Sequence, residues 1–449
     1  MKSRRRFVFL RVHCFLLLGY ALFGKGFAYL GYPPVYVGEL VLLAGCFTFL
    51  LTLRSWIVLK NVNIVLLLMM MIWGACRTLP YLSTYGSLAL RDAALWGYGS
   101  FGIIIAGYLM TRPTALDKLL DAYATFVTVF TFCAPVVWFL SVALGLLTVT
   151  VEGKSSPLIK GTEVMAHLAG VVAFVYLHIR RKGMRWLWAA PILFFMGMNT
   201  RAGILSVCVS TTALLMLRPN KGKWLIVATV VLVTGASFIA FDIRVKLPWS
   251  DREVSTRDFV DSVASVYTQT GDEFYDGTKR WRLMWWQKIF DYTWNGEYFW
   301  TGKGFGVNLA DADGFSLDSS HTLRSPHNSH LTVLARAGVP GALLWLLVQL
   351  CWGIGMLRTY VICRRASEEK WANMFLFLLI YWIAFMISAG FDVFLEGPMA
   401  GIWFWTIYGT GAAARSLYFG RRTRAGAGMS IAALDLQPVE SLSSPGRLA

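Results

Sequence analysis

A short polar stretch, Ser325–Gly341, holds the residue types best suited to chemistry in this chain. It reads SPHNSHLTVLARAGVPG and places His327, Asn328, Ser329 and His330 directly before an apolar run. A neutral imidazole takes a proton from a hydroxyl near physiological pH, so His327 is a candidate general base, with Asn328 and His330 in support. The alternative is structural, because Asn328 or Ser329 also suits the N-cap of the following helix. Two histidines without a third ligand make a poor metal site, and we expect no metal.

Three arginines are candidates for binding a phosphate group. Arg201 lies in the motif NTRAG between two apolar runs, and Arg280 and Arg282 flank Trp281 in the stretch KRWRLMWW. A guanidinium forms two parallel hydrogen bonds to phosphate oxygens, so each of the three suits a diphosphate. The alternative for Arg201 is a head group that reaches lipid phosphates while its stem lies along lipid. Arg280 and Arg282 can equally bind the lipid surface alone.

Further ionisable residues lie near the ends of apolar runs. Glu163 and His167 are four residues apart and therefore share one face of a helix, and Arg91 is followed by Asp92. Ionisable groups close to a membrane interior usually line a cavity or pair with a partner. They are candidates for a supporting role around the site, although an adjacent pair such as Arg91 and Asp92 is also a common anchor at the membrane surface.

Membrane-spanning helices must position all of these residues. Of the 449 residues, 56% are hydrophobic and 15% are charged, whereas a soluble domain carries about a quarter charged residues. The apolar residues cluster into runs, and a helix needs roughly 20 such residues to cross a bilayer. Only a helix satisfies its own backbone hydrogen bonds there in a chain of this pattern. The composition predicts an all-α polytopic bundle of about twelve transmembrane helices with one large extracytoplasmic loop.

The chain divides into four predicted segments. Residues 1–242 form a membrane bundle of about nine helices, and residues 336–415 add about three more. Residues 243–335 form the extracytoplasmic loop, while residues 416–449 are rich in Ser, Ala, Gly and Pro and predict a disordered cytoplasmic tail. Within the loop, Lys279–Trp294 contains four tryptophans and predicts an interfacial helix whose rings lie at headgroup depth.

The formal charge of +17 is a topology signal. Lys and Arg concentrate in alternate linkers between the apolar runs, which by the positive-inside rule places both termini in the cytoplasm. Nucleic-acid binding is therefore not expected. The seven cysteines are scattered and none lies in the large loop, so no disulfide framework is predicted.

Five short motifs, in a fixed order, resemble those of a known family. They are Thr200-Arg201-Ala202, Arg282–Trp286 (RLMWW), Gly302-Lys303-Gly304, His327-Asn328-Ser329 and Gly338–Gly341. A multispan N-terminal half, a short hairpin with the arginine, a long loop and HNS before a Gly-rich span together resemble the bacterial O-antigen ligase and polymerase superfamily. The chain departs from the usual pattern by placing a histidine directly after HNS.

The resemblance implies a function. Family members transfer a glycan from undecaprenyl diphosphate, a polyprenyl carrier, to an acceptor hydroxyl at the outer face of the bacterial cytoplasmic (inner) membrane. By resemblance, Arg201 and Arg282 bind the diphosphate and His327 is the general base, and no cofactor or metal is expected. From its position beside Trp281, Arg280 is a further candidate for binding the diphosphate. The expected partners are the carrier-linked glycan, membrane lipid and an acceptor. The acceptor is lipid A-core for a lipopolysaccharide ligase, another carrier-linked repeat for an O-antigen or exopolysaccharide polymerase, or a protein side chain.

Two other classes of protein share such a bundle. A secondary transporter places its ionisable residues near the middle of the bilayer in broken helices. Here the candidates lie at the predicted outer edge and in the loop, which favours the enzyme. A non-catalytic membrane scaffold is the third class, and it predicts that substitution of His327 or Arg201 leaves cell-surface glycan unchanged.

Overall fold

The computed structural model describes residues 7–33, 35–151, 154–181, 187, 189–198, 200–220, 222, 245–246, 253–254, 273–316 and 321–426. The predicted ninth span at residues 223–241 and the chain after residue 426 lie outside this part. Within it, the structure is mainly helical.

The helices before the predicted loop are α1 Val8–Ala28, α2 Val37–Leu50, α3 Val62–Thr78, α4 Leu82–Tyr85, α5 Ser87–Gly97, α6 Gly99–Thr111, α7 Thr114–Trp138, α8 Gly161–Tyr176, α9 Ala190–Gly197 and α10 Arg201–Leu217. Those that follow are α11 Glu273–Trp294, α12 Leu309–Asp313, α13 Ser329–Arg365, α14 Glu369–Ala389 and α15 Pro398–Gly426. Short 3₁₀ segments occur at Leu53–Lys60, Leu79–Tyr81 and Ile179–Arg181, and a π turn at Phe139–Ala143. Three small antiparallel hairpins pair β1 Gly31–Tyr32 with β2 Val35–Tyr36, β3 Thr148–Val151 with β4 Lys154–Pro157, and β5 Val245–Lys246 with β6 Glu253–Val254.

The apolar helices confirm an all-α membrane protein. Within the described ranges, 5 helices are long and apolar enough to cross a bilayer, or 6 if α5 and α6, bent by 43° at their junction, form one span. Three shorter apolar helices, α2, α8 and α10, lie within residues 1–242, the range predicted to hold about nine membrane helices. The total of about twelve and the sidedness of the loop remain predictions.

Helix ends differ from the predicted boundaries at two places. Helix α13 begins at Ser329, inside the segment predicted as loop, because Asn328 caps it there. Helix α15 continues to Gly426, past the predicted start of the tail at residue 416. Apolar side chains fill the bundle interior, and Trp352 and Trp405 are completely buried in it.

The glycine-rich turn Gly302–Gly306 hydrogen-bonds to the backbone carbonyls that a break in α13 leaves without helical partners. The helix breaks at Gly338, where φ is 71°, a value that favours glycine. The carbonyls of the three preceding residues accept hydrogen bonds from the backbone of Lys303 at 2.7 Å, the backbone of Gly304 at 3.0 Å and the indole of Trp73 at 2.9 Å. A Cβ on Gly302 would lie 2.4 Å from the α13 backbone. The turn therefore docks the loop region onto the bundle, and it needs glycine to do so.

The tryptophans of α11 have different environments. Trp285 is fully buried, stacks on Phe315 with 5.3 Å between ring centroids and donates a hydrogen bond to Asp313 at 2.7 Å. Trp281 packs edge-on against Trp285, whereas Trp294 is 52% exposed. Trp285 thus belongs to a small core of the loop region, and the placement of the four rings at headgroup depth stays a prediction.

Candidate active site

His327 lies directly before α13 in the left-handed backbone region. Its φ is 52°, a conformation that costs a residue with a side chain on the order of 1–3 kcal/mol. The next residue, Asn328, caps the helix, since its side-chain oxygen accepts hydrogen bonds from the backbone N–H groups of His330 and Leu331 at 3.0 and 3.1 Å. The helix-cap interpretation therefore applies to Asn328, and it leaves the His327 ring outside the helix.

His327 faces a carboxylate that was not among the sequence-predicted candidates. Its Nδ1 lies 3.6 Å from Oδ1 of Asp392, in the linker between α14 and α15, and the two side chains are 31% and 20% exposed. Burial alone would raise the pKa of Asp392, but Lys160 and His327 outweigh burial and hold that pKa below its ordinary range. An ionised carboxylate on this side favours the tautomer with its proton on Nδ1, which leaves Nε2 as a proton acceptor.

The linker between α14 and α15 is tied to the first turns of α13. Ser329 Oγ donates a hydrogen bond to the Asp392 carbonyl and accepts one from the Leu395 N–H, both at 3.1 Å. Thr332 Oγ1 donates to Glu396 Oε1 at 2.8 Å. Because these contacts join linker and helix, they fix the position of the Asp392 carboxylate relative to the His327 ring.

His330, the second histidine of the motif, uses both ring nitrogens. Its Nδ1 accepts a hydrogen bond from the Trp345 indole at 3.1 Å, and its Nε2 lies 3.0 Å from the Met386 carbonyl. A ring that donates at Nε2 and accepts at Nδ1 satisfies both contacts as a neutral imidazole. His330 therefore joins α13 to α14 and has no ring nitrogen left to act as a base.

Arg282 approaches the same carboxylate from α11, and Arg201 is a charged neighbour of Arg282. Arg282, on α11, donates a hydrogen bond from NH1 to the Phe391 carbonyl at 3.1 Å. Burial lowers the pKa of Arg282, Asp392 acts against this decrease, and Arg201 adds to it. Arg201 is the first residue of α10. The structure thus places His327 and Arg282 beside Asp392, and Arg201 beside Arg282.

The remaining arginines of the candidate set lie elsewhere. Arg280 and Arg91 are exposed, whereas Asp92, next to Arg91, is buried in a charge network. Its Oδ2 lies 3.1 Å from Arg324 NH2 and 3.0 Å from Arg336 NH1. A buried carboxylate with two guanidinium partners is costly to disrupt, because loss of one partner leaves an uncompensated charge. Asp92 therefore holds the loop region and α13 against α5.

Glu163 and His167 share a face of α8 but have different surroundings. Glu163 lies near Lys160. Asp392 raises the pKa of Lys160 more than burial lowers it, and Glu163 adds to the increase. Glu163 is therefore connected to the site through Lys160. His167 is 3% exposed, lies 2.6 Å from the Tyr381 hydroxyl and is surrounded by aromatic rings. It belongs to the bundle interior and not to the site.

Asp392, Glu396 and Lys160 are the site residues that the motifs did not reveal. One signal was present in the sequence: the short linker that carries both acids contains no Lys or Arg, and acids beside membrane spans usually find a partner. Lys160 has no such signal, since nothing in its local sequence distinguishes it. In the described part of the chain, no group of three His, Cys, Asp or Glu residues is arranged to hold a metal ion.

A protein-family model matches part of the chain. Residues 187–346 match the family model described as O-antigen ligase, and no curated protein matches the chain. The matched range contains Arg201, Arg282 and His327 and ends before Asp392. Residues 187–346 are thus similar to the O-antigen ligase family, and this match confirms the resemblance to its superfamily that the motifs predict.

Proposed function

We propose that this protein is a glycosyltransferase of the O-antigen ligase type. It transfers a glycan from undecaprenyl diphosphate to an acceptor hydroxyl, on lipid A-core or a similar acceptor, at the outer face of the inner membrane. The family match supports the general type of reaction. The observation that carries the proposal is His327 beside Asp392, with Arg282 a charged neighbour of that carboxylate and Arg201 a charged neighbour of Arg282. This arrangement combines a proton acceptor with cations for a leaving group.

In the proposed reaction, His327 Nε2 takes the proton of the acceptor hydroxyl. The acceptor oxygen forms a bond to the anomeric carbon of the glycan, and the bond from that carbon to the diphosphate oxygen breaks. Undecaprenyl diphosphate leaves with the electron pair, and Arg201 and Arg282 stabilise its charge through bidentate hydrogen bonds. Asp392, 3.6 Å from His327 Nδ1, orients the ring and stabilises the imidazolium that forms.

The position of each group supports its proposed role. The His327 side chain is 31% exposed, so an acceptor can reach its ring. Arg282 hydrogen-bonds to the carbonyl of Phe391, the neighbour of Asp392, and this contact orients the guanidinium toward the site. In the proposed complex, the two arginines bind the diphosphate of the donor so that its anomeric carbon faces the base. Such positioning can supply several kcal/mol of the barrier reduction.

A deletion strain complemented with single variants tests the proposal. We expect His327→Ala, Arg201→Ala and Arg282→Ala to reach the membrane normally but to fail to restore the surface glycan, with transfer lowered by about 10²-fold or more. His321→Ala is the matched control, because His321 lies in the same loop region and its side chain is 64% exposed. Arg280→Ala asks whether the second arginine of the loop also binds the diphosphate.

The products separate the candidate acceptors. Loss of the ladder on lipid A with accumulation of carrier-linked polymer indicates a ligase, whereas products of a single repeat indicate a polymerase of the same superfamily. Full surface glycan with His327→Ala would remove that residue from the mechanism. Unchanged glycan with all three variants would favour a scaffold or a transporter.

A further inference from the structure

Glu396 contacts the chain on both sides of His327. Its Oε1 accepts a hydrogen bond from Thr332 Oγ1 at 2.8 Å, and the Ser325 hydroxyl lies near enough to the same carboxylate to lower its pKa. Ser325 is 3% exposed and Thr332 is completely buried. The Thr332 hydroxyl also lies 3.0 Å from the Asn328 carbonyl, so the carboxylate joins the first turn of α13 to the segment that precedes it.

This bridge spans the strained residue. His327 has a φ of 52° and lies between Ser325 and Thr332 in the chain. Such a conformation persists only when the surroundings hold it from several sides. A second contact is present on the loop side, where the Trp286 indole donates a hydrogen bond to the Pro326 carbonyl at 2.9 Å. The backbone around His327 is therefore held at both ends.

We propose that Glu396 is a positioning residue that keeps the His327 ring directed at Asp392 by bridging Ser325 and Thr332. The proposal rests on the function proposed above. Asp392 and Glu396 belong to the same linker between α14 and α15, so one linker supplies both the partner of the imidazole and the support of its backbone. Without the bridge, the segment before α13 relaxes and the ring leaves the carboxylate, although the two arginines stay in place.

Charged groups from several elements surround Glu396. Burial raises its pKa, while Arg336 of α13 and the two hydroxyls act against that increase and Asp92 adds to it. Lys160, before α8, is a further charged neighbour. A glutamine retains one oxygen that accepts from Thr332, and its amide N–H group can donate to Ser325. The bridge therefore needs the shape of the side chain more than its charge, which gives the test a conservative variant.

Three variants of the full-length protein in membranes test the inference. Glu396→Ala removes the bridge, Glu396→Gln retains it without the charge, and Glu297→Ala replaces an exposed glutamate of the loop region as control. Binding is measured with undecaprenyl diphosphate as a shift in melting temperature, and transfer is measured as the rate of surface-glycan formation. We expect Glu396→Ala to bind like wild type and to transfer about 10- to 100-fold more slowly. Glu396→Gln should stay within about threefold of wild type.

The partners of the carboxylate provide a second measurement. Ser325→Ala with Thr332→Val removes both hydroxyls and leaves Glu396 in place, so it should reproduce the slow transfer of Glu396→Ala. Adding Glu396→Ala to that pair should cause little further loss, because contacts within one network are not additive. If Glu396→Ala is too unstable to purify, this double variant carries the test.

Each outcome has a distinct meaning. Wild-type transfer by Glu396→Ala, or equal loss of binding and transfer, overturns the positioning role. Equal loss in Glu396→Gln and Glu396→Ala shows that charge matters and also overturns it. His327→Ala is measured alongside: if it transfers normally, the proposed function fails, whereas if only Glu396→Ala is normal, this inference fails alone.

Discussion

His327 and His167 present one side chain in two environments. His327 is 31% exposed and faces the carboxylate of Asp392. That carboxylate lies in the linker between α14 and α15, where several charged residues meet. His167 is 3% exposed, hydrogen-bonds to the Tyr381 hydroxyl and packs among aromatic rings inside the bundle. Both rings have a partner at Nδ1, yet only His327 has a charged partner that stabilises an imidazolium. A charged partner at Nδ1 and a ring that a substrate can reach therefore distinguish a candidate base from a structural histidine.

Among the substitutions that test this contrast, Asp392→Asn should lower the rate of transfer the most. An amide does not stabilise the imidazolium and can donate toward Nδ1, which favours the wrong tautomer of His327. We expect transfer to fall by about 10²- to 10⁴-fold, while binding of undecaprenyl diphosphate is not weakened, because Arg201 and Arg282 lose a competing anion. The rate of surface-glycan formation and the shift in melting temperature measure the two effects. If Asp392→Asn kept more than half of the wild-type transfer rate, the Asp392 carboxylate would not support a base at His327. His327 would then be a structural histidine like His167.

Asp92→Asn should weaken the attachment of the loop region to the bundle. Asp92 holds Arg324 and Arg336 at 3.1 and 3.0 Å, and removing one member of a buried charge network costs about 3–5 kcal/mol. We therefore expect a lower melting temperature and earlier proteolysis of the loop region. Arg91→Gln is the matched control, since Arg91 is adjacent in sequence but exposed. Equal stability of the two variants would contradict the assigned role of Asp92.

Hydropathy was sufficient to predict an all-α membrane protein, and motif order was sufficient to select His327, Arg201 and Arg282 as candidates. Long apolar runs require helices in a bilayer whatever they pack against, and HNS stands out because polar residues before a span are few. The motif itself contained two histidines, and local spacing did not separate them. Only the tertiary contacts of His330 with Trp345 and Met386 assign it to packing.

Asp392 and Lys160 show why the other candidate site residues could not be predicted from the sequence. Asp392 is 65 positions from His327 in the chain, and Lys160 precedes a different helix. Their proximity depends on how α8, α13 and α14 pack, and helix packing in membranes is set by side-chain fit that leaves no local pattern. The same holds for Trp285, whose burial follows from Phe315 and Asp313 in another part of the loop region.

Lys160→Met should change the pH dependence of transfer more than its maximum rate. Burial raises the pKa of Asp392, and Lys160 is the strongest influence that lowers it. Without Lys160 that pKa rises, so Asp392 becomes protonated at a higher pH and its support of His327 is lost as the pH falls. We expect the acid limb of the rate profile, followed downward from about pH 8, to lie at a higher pH than in the wild type. Lys279→Met, at an exposed lysine, should leave the profile unchanged, and an unmoved limb in Lys160→Met would separate Lys160 from the site.

His167→Phe should have the smallest effect on transfer. A phenylalanine fits among the aromatic rings around this position but leaves the Tyr381 hydroxyl without its partner at 2.6 Å. An unsatisfied buried hydroxyl costs about 1–3 kcal/mol, so the melting temperature should fall while the rate per folded molecule stays within about twofold. Changing Tyr381 to Phe as well should restore part of the lost stability, because both polar partners are then absent. If His167→Phe instead lowered transfer as strongly as Asp392→Asn, the interior histidine would have to act on the reaction, and access and charge would no longer separate the two rings.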